Sequence, residues 1–295
     1  MSTEVSFAVP GGSLAALDHG GTGRPVLLVH GTGHNAAAWG AVADRLLPGH
    51  RVVAVDLRGH GHSTAVSETA EQYWRDLAVV VEALGWERPL LVGHSTGGYA
   101  VTAVTAAGLV EPAAVGIVDG LVLDDRPTAA KALAETRSAR TAEDLRRAFG
   151  YGLRLDSGPR DAWIEEQVSR VPTDWLNAGA DPELVRAVAA RSFTAEPAAD
   201  GCFVRLPTIE EVAATTEAPQ DAAVHPSVDV YDLVTCPITI VLPDQGFYAR
   251  RRSEVAGIAA GRDRRELVDL AGGHNVVMTH PAAVAAVIRD LAESV

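Results

Sequence analysis

Short apolar runs alternate along this chain with longer stretches whose apolar residues recur at helical spacing. The runs Pro25–His30, Arg51–Asp56, Leu90–Gly93, Ala114–Asp119, Pro237–Leu242 and Glu266–Leu270 predict strands. Trp39–Leu47, Thr69–Leu84, Gly98–Gly108 and Pro281–Leu291 predict helices. The strand runs are continuous rather than alternating, the mark of strands buried on both faces, so they predict an α/β fold with a mostly parallel sheet between helical layers. Residues 4–18 predict one or two antiparallel edge strands. From 127 to 233 the strand pattern fades and helical patterns at 128–148, 161–170 and 181–193 take over. That stretch reads as an insertion and divides the chain into an α/β core, 1–126 and 234–295, and a helical cap, 127–233. It is also the aromatic region, with Trp163, Trp175, Phe149, Phe193 and Phe203.

Composition narrows the function classes. The 295 residues are 47% hydrophobic, enough for a sizeable core, and the net charge is −13. With no basic run, a nucleic-acid partner is not expected, and the acidic surface disfavours polyanionic substrates. Cys202 and Cys236 match no metal or redox spacing and read as reduced, packed thiols. The N-terminal residues lack the pattern of a secretory leader, and no uncharged apolar stretch is long enough for a membrane span. A cytoplasmic protein acting on a small molecule, without cofactor or metal, is the expectation, and the oligomeric state is open.

The most informative stretch is Leu90-Leu-Val-Gly-His-Ser-Thr-Gly-Gly98. Ser95 stands between Gly93 and Gly97 in the pattern G-x-S-x-G, after a strand and before a helix. That context holds a serine Oγ up on a strained turn, with the helix N-terminus aimed at the same place. A serine hydroxyl is a poor nucleophile without a base and a group to orient that base. His274, in Ala271-Gly-Gly-His-Asn275 between the last strand and the last helix, is the candidate base, and His280 the weaker choice. Charge developing on an attacked carbonyl needs backbone N–H donors. The candidates are the N–H of Thr96 and that of Thr32, in the loop His30-Gly-Thr-Gly-His34 after the first buried strand.

With Asp56-Leu-Arg-Gly-His-Gly-His-Ser63, these motifs make the chain similar to the α/β-hydrolase superfamily over nearly its whole length. In that pattern Asp56 and Arg58 shape a loop beside the site, and His60 and His62 are packed or solvated rather than metal ligands. The acid departs from the usual arrangement. The resemblance places it a few residues beyond the strand after the insertion, where this chain has Gly246 and Phe247, and Asp244 comes too early. The other location in the superfamily is the end of the strand before the insertion, which is Asp119 here. Asp119 is favoured over Asp244.

An acid in that position is similar to the cofactor-free 2,4-dioxygenases of the quinolone-degrading branch, which also place histidines where His34 and His94 stand; Thr96 stands where that branch has a further histidine. The leading expectation is a serine hydrolase of a neutral, apolar ester, lactone or related carbonyl compound. His34, His94, Trp163, Trp175 and Phe193 are then candidates for the substrate pocket. The alternatives are a cofactor-independent dioxygenase or C–C bond hydrolase using the same residues, and a non-catalytic small-molecule receptor.

Overall fold

A computed structural model describes residues 2–295. Its strands are β1 (Thr3–Val9), β2 (Gly12–Gly20), β3 (Arg24–Val29), β4 (His50–Val55), β5 (Leu90–His94), β6 (Ala114–Val118), β7 (Arg154–Leu155), β8 (Phe203–Val204), β9 (Ile238–Gln245) and β10 (Arg265–Gly273). The core helices are α1 (Gly40–Leu46), α2 (Gln72–Ala83) and α3 (Thr96–Ala106). Between β6 and β9 come α4 (Arg126–Thr136), α5 (Ala139–Phe149), α6 (Ser157–Arg170), α7 (Pro182–Arg191) and α8 (Ile209–Ala214). The chain ends with α9 (Arg252–Ala260), α10 (Val276–Thr279) and α11 (Pro281–Glu293).

Eight strands form one sheet in the order β1-β2-β4-β3-β5-β6-β9-β10. From β4 to β10 neighbours pair in parallel, while β1–β2 and β2–β4 are antiparallel. The continuous apolar runs are resolved into two faces. Leu27, Val29, Val53 and Val55 pack with Trp74 and Leu77 of α2 and with α3 and α9. Val26, Leu28, Val52 and Ala54 pack with Trp39, with Val42 of α1, and with Ile288 and Leu291 of α11.

The strand order reverses at β3, whose neighbours are β4 on one side and β5 on the other. A crevice opens outside the carboxyl ends of the strands at such a switch point. The loops that meet there follow β3, at Gly31–His34, and β5, at Ser95.

The expected helical stretch 128–148 is two helices, because Ser138 caps a new one by accepting from Thr141 N. The two-residue strands β7 and β8 pair across that inserted segment, and α8 is a further element with no expectation behind it. The segment is fastened to the rest of the fold at several points. Val185 and Val188 of α7 join the Trp39 face. The buried Arg191 guanidinium pairs with Asp56 at 2.8 Å and also reaches Glu4. Glu211 accepts from Ser67 N at 2.8 Å. Asp56 additionally accepts from Ala36 N and His62 N, and Arg58 binds Asp76 at 2.8 Å and two backbone carbonyls. The Asp56–Ser63 stretch is therefore tied into the fold.

Candidate active site

The elbow at Ser95 is set by its backbone. Ser95 has φ 53° and ψ −126°, a conformation that costs a non-glycine residue about 1–3 kcal/mol and persists only where the surroundings enforce it. The flanking glycines are required by space: a Cβ on Gly93 would lie 2.0 Å from the Gly97 carbonyl oxygen, and one on Gly97 2.3 Å from that of Val29. Ser95 N donates to Val118 O at 3.0 Å, and Gly98 N donates back to Ser95 O at 2.8 Å.

Asp119 stands one strand over. Its N–H donates to Val241 O at 3.0 Å, and its φ is 43°. Among the described residues only four non-glycine positions have positive φ. Arg88 and Arg264 are in helix-to-strand turns, and the other two are Ser95 and Asp119. The two that lie outside such turns fall at the C-terminal ends of two adjacent strands, β5 and β6.

The Asp119 carboxylate is fully buried. Oδ2 accepts from His274 Nδ1 at 2.7 Å and from Phe247 N at 2.9 Å. An ionised carboxylate only accepts, so Nδ1 carries a hydrogen, and in the neutral tautomer this bond selects, Nε2 is the acceptor nitrogen. Gly246 comes close over the acid: a Cβ there would lie 2.6 Å from its oxygens. The loop after β9 therefore supplies an amide to Asp119 in place of a carboxylate to the histidine. Asp244 accepts from Gly272 N at 2.9 Å and bonds the backbone before His274. His280 bonds Thr279 Oγ1 at 3.0 Å.

The ring of His274 is held on several sides. Phe247 stacks on it with centroids 3.7 Å apart and planes at 11°. His94 Nε2–H donates to the His274 carbonyl at 2.9 Å, with its ring 4.7 Å away, and its Nδ1 is buried without a partner. Burial, with the nearby His274 and His34 charges, pushes His94 well below the usual histidine range. His34 lies 5.9 Å from His94 and is pushed down to about 4 by the protein packed around it and by the His274 and Arg205 charges. Asn275 Nδ2 approaches His34 Nε2 at 3.4 Å and donates to Asn177 Oδ1 at 2.9 Å. Thr32 and Thr96 meet through their hydroxyls at 2.7 Å, and both border the same cavity as Ser95.

One cavity of about 900 Å³ is bordered by Thr32, His34, His94, Ser95, Thr96, Trp163, Trp175, Phe247, His274 and Asn275, with Asp119 behind His274 and outside the lining. Two expectations about the aromatic residues are modified. Phe193 is fully buried and packs edge-on against Trp163, 5.4 Å between centroids, so it supports the cavity wall rather than forming it. Trp175 is 70% exposed and lies 6.3 Å from the exposed Phe247, at the mouth.

Sequence reasoning passed over Phe247, Asn275, Tyr151 and Arg205. Phe247 was conspicuous only as the wrong residue where an acid was sought, and the other three carry no motif. Arg205 is buried within the inserted segment, its Nε has no partner, and Nη1 reaches the Leu206 carbonyl at 3.4 Å. Its guanidinium lies over Trp163 at 5.0 Å and Tyr151 at 5.3 Å. Cation–π contacts return about 0.5–2 kcal/mol each, less than the several kcal/mol that desolvating an ion costs. Burial accordingly pulls its pKa down to about 10. Among the described residues no group of three or more His, Cys, Asp or Glu could hold a metal ion, and no helix is long and apolar enough to cross a membrane. Cys202 and Cys236 are free and half-buried.

A strained serine elbow and a histidine on a buried carboxylate, both at the C-terminal edge of a parallel sheet, are what the α/β-hydrolase class combines. The sequence matches the model of the alpha/beta hydrolase family over residues 26–287, and the chain belongs to that family. It is 36% identical over 118 residues to protein phosphatase methylesterase 1 of Mus musculus, covering 36% of this chain and 30% of that protein. It is 33% identical over 129 residues to a serine hydrolase-like protein of Danio rerio, covering 42% and 38%. The chain thus matches about a third of the length of these curated relatives. Among solved structures, E-2-(acetamidomethylene)succinate hydrolase superposes with a TM-score of 0.75 over 99% of this chain and 100% of its own, at 22% identity, a likeness of fold.

Proposed function

We propose that the protein is a serine hydrolase of carboxylic esters, lactones or related acyl compounds with a largely apolar body. The observation that carries this reading is the 2.7 Å bond from His274 Nδ1 to the buried Asp119 carboxylate, made beside the strained Ser95 elbow. His274 Nε2 takes the proton as Ser95 Oγ attacks the carbonyl carbon. Asp119 fixes the tautomer and stabilises the imidazolium. The N–H groups of Thr32 and Thr96 bind the oxyanion. The tetrahedral intermediate collapses and expels the alkoxide, which takes the proton from His274. Water, deprotonated by the same nitrogen, then attacks the acyl-enzyme and releases acid and free serine. Residues 127–233 act as a cap that receives the substrate, with Trp163 in the lining and Trp175 at the mouth, and His34 and His94 also border the cavity.

The test is turnover of a short p-nitrophenyl ester by wild type and Ser95→Ala. Loss of turnover by at least about 10⁴-fold in the variant is expected; equal rates would overturn the reading. A second reading, cofactor-free oxygenation of a heteroaromatic alcohol deprotonated by His274, draws on the supply of the acid from β6 and on His34 and His94 beside the ring. Oxygen uptake on a hydroxyquinolone with no ester or lactone turnover would favour it. Ligand binding with neither reaction would point to a receptor.

A further inference from the structure

The cavity contains a cation without a counter-ion. Three arginines border it. Arg147 pairs with Asp144, and Arg170 with Glu166 at 3.3 Å, and both stand out in solvent. Arg205 is only 8% exposed and forms no salt bridge among the described residues. The cavity's own carboxylates are committed elsewhere: Glu71 to Arg75 at 2.8 Å, and Asp174 to Leu176 N and Asn177 Nδ2. Removing a guanidinium from water without an anion is unfavourable, so the fold bears a cost that a ligand could relieve.

Its surroundings are built. The Arg205 backbone is fixed by Arg205 N to Leu153 O at 2.8 Å and Gly152 N to Arg205 O at 3.0 Å. The side chain is held over the faces of Tyr151 and Trp163. Tyr151 in turn packs against the loop after β3, where a Cβ on Gly33 would lie 2.1 Å from its hydroxyl. The guanidinium is therefore one aromatic side chain removed from the turn that carries Thr32.

We propose that Arg205 is a substrate-binding residue that receives a carboxylate on the substrate, remote from the bond that is cleaved. A guanidinium presents a planar fork of donors that matches a carboxylate in two parallel hydrogen bonds, and here the pair would form in a site already removed from bulk water. This rests on the hydrolase reading and sharpens it: the substrate's body is largely apolar in that reading, but it is not neutral. One carboxylate is also compatible with the acidic surface, which disfavours only polyanions.

The test separates binding from turnover by using Ser95→Ala protein. Hexanoate and 3-phenylpropionate are compared with their primary amides, following Trp fluorescence, to which Trp163 beside Arg205 reports, and thermal shift. Carboxylates are expected to bind about 10- to 100-fold tighter than the amides, and the preference is expected to persist at high salt, which screens the exposed arginines. Arg205→Met removes the preference without lowering the ligand-free Tm, whereas a purely structural arginine would lose Tm on replacement. Arg205→Lys keeps part of the preference. Equal binding of acids and amides, binding of neither, loss of the preference in salt, or its survival in Arg205→Met would overturn the proposal. Failure of the hydrolase reading looks different: a carboxylate preference that stays intact in a wild-type protein that turns over no ester.

Discussion

Helix α3 buries every residue from Gly97 to Val104, whereas α5 buries none, yet both border the same cavity. Behind Ser95 the elbow is locked between strands, and α3 cannot shift without opening the core. Around α5 the wall is an amphipathic helix whose neighbours are other inserted helices and solvent. The proposed reacting groups thus belong to the part of the molecule whose backbone is over-determined. The groups that would sort substrates belong to the part where side chains can change at little cost in stability.

That contrast is broken most severely by activity. His274→Gln is expected to lower kcat by about 10⁴- to 10⁶-fold with an unchanged circular dichroism spectrum. Trp163→Ala, on the inserted wall, is expected to act mainly on KM, by roughly tenfold. Comparable kcat losses from both would erase the division of labour. Stability gives the next largest effect. Trp39→Ala, in the fully buried face beneath α1, is expected to cost about 3–5 kcal/mol in urea unfolding, and Leu145→Ala on α5 less than about 1 kcal/mol.

Acid sharpens the comparison. The buried core ring of His60 donates through Nδ1 to Arg58 O, and burial pushes it down to about 4. It is neutral when folded and titrates in the ordinary range when unfolded, so the unfolded chain binds the extra proton. Its contribution is full above about pH 6.5 and is lost as pH falls toward 4. His60→Gln should flatten the acid limb of the stability curve by on the order of 3 kcal/mol; an unchanged limb would place the acid sensitivity elsewhere. The smallest effect is expected at the mouth. Trp175→Ala removes a ring that is 70% exposed and should change stability by under about 0.5 kcal/mol while altering KM.

The same contrast explains what could be read from the residues. The parallel sheet was legible because strands buried on both faces leave continuous apolar runs, and the Ser95 elbow because a strained turn needs glycines at fixed offsets. The pairing of Asp119 with His274 was anticipated by default, through the missing acid at Gly246 and Phe247. What Gly246 and Phe247 do instead, closing over Asp119 and stacking on His274, is tertiary. The inserted segment was legible as helical but not in detail. The β7–β8 ribbon pairs two residues with two others far along the chain, and Ser138 was a cap hidden inside one helical pattern. Arg205, an arginine between Val204 and Leu206, looks in sequence like any strand-edge residue. Only its burial without an anion sets it apart.

The central claim is that Ser95 is activated through His274 by an acid from β6. The most direct measurement is the second-order rate of fluorophosphonate modification, with the adduct mapped to its residue, in wild type, Asp119→Asn and Asp244→Asn. The account predicts one adduct, on Ser95, forming roughly 10⁴-fold more slowly in Asp119→Asn and within a few-fold of wild type in Asp244→Asn. An adduct on another residue, or equal or reversed losses in the two variants, would contradict it.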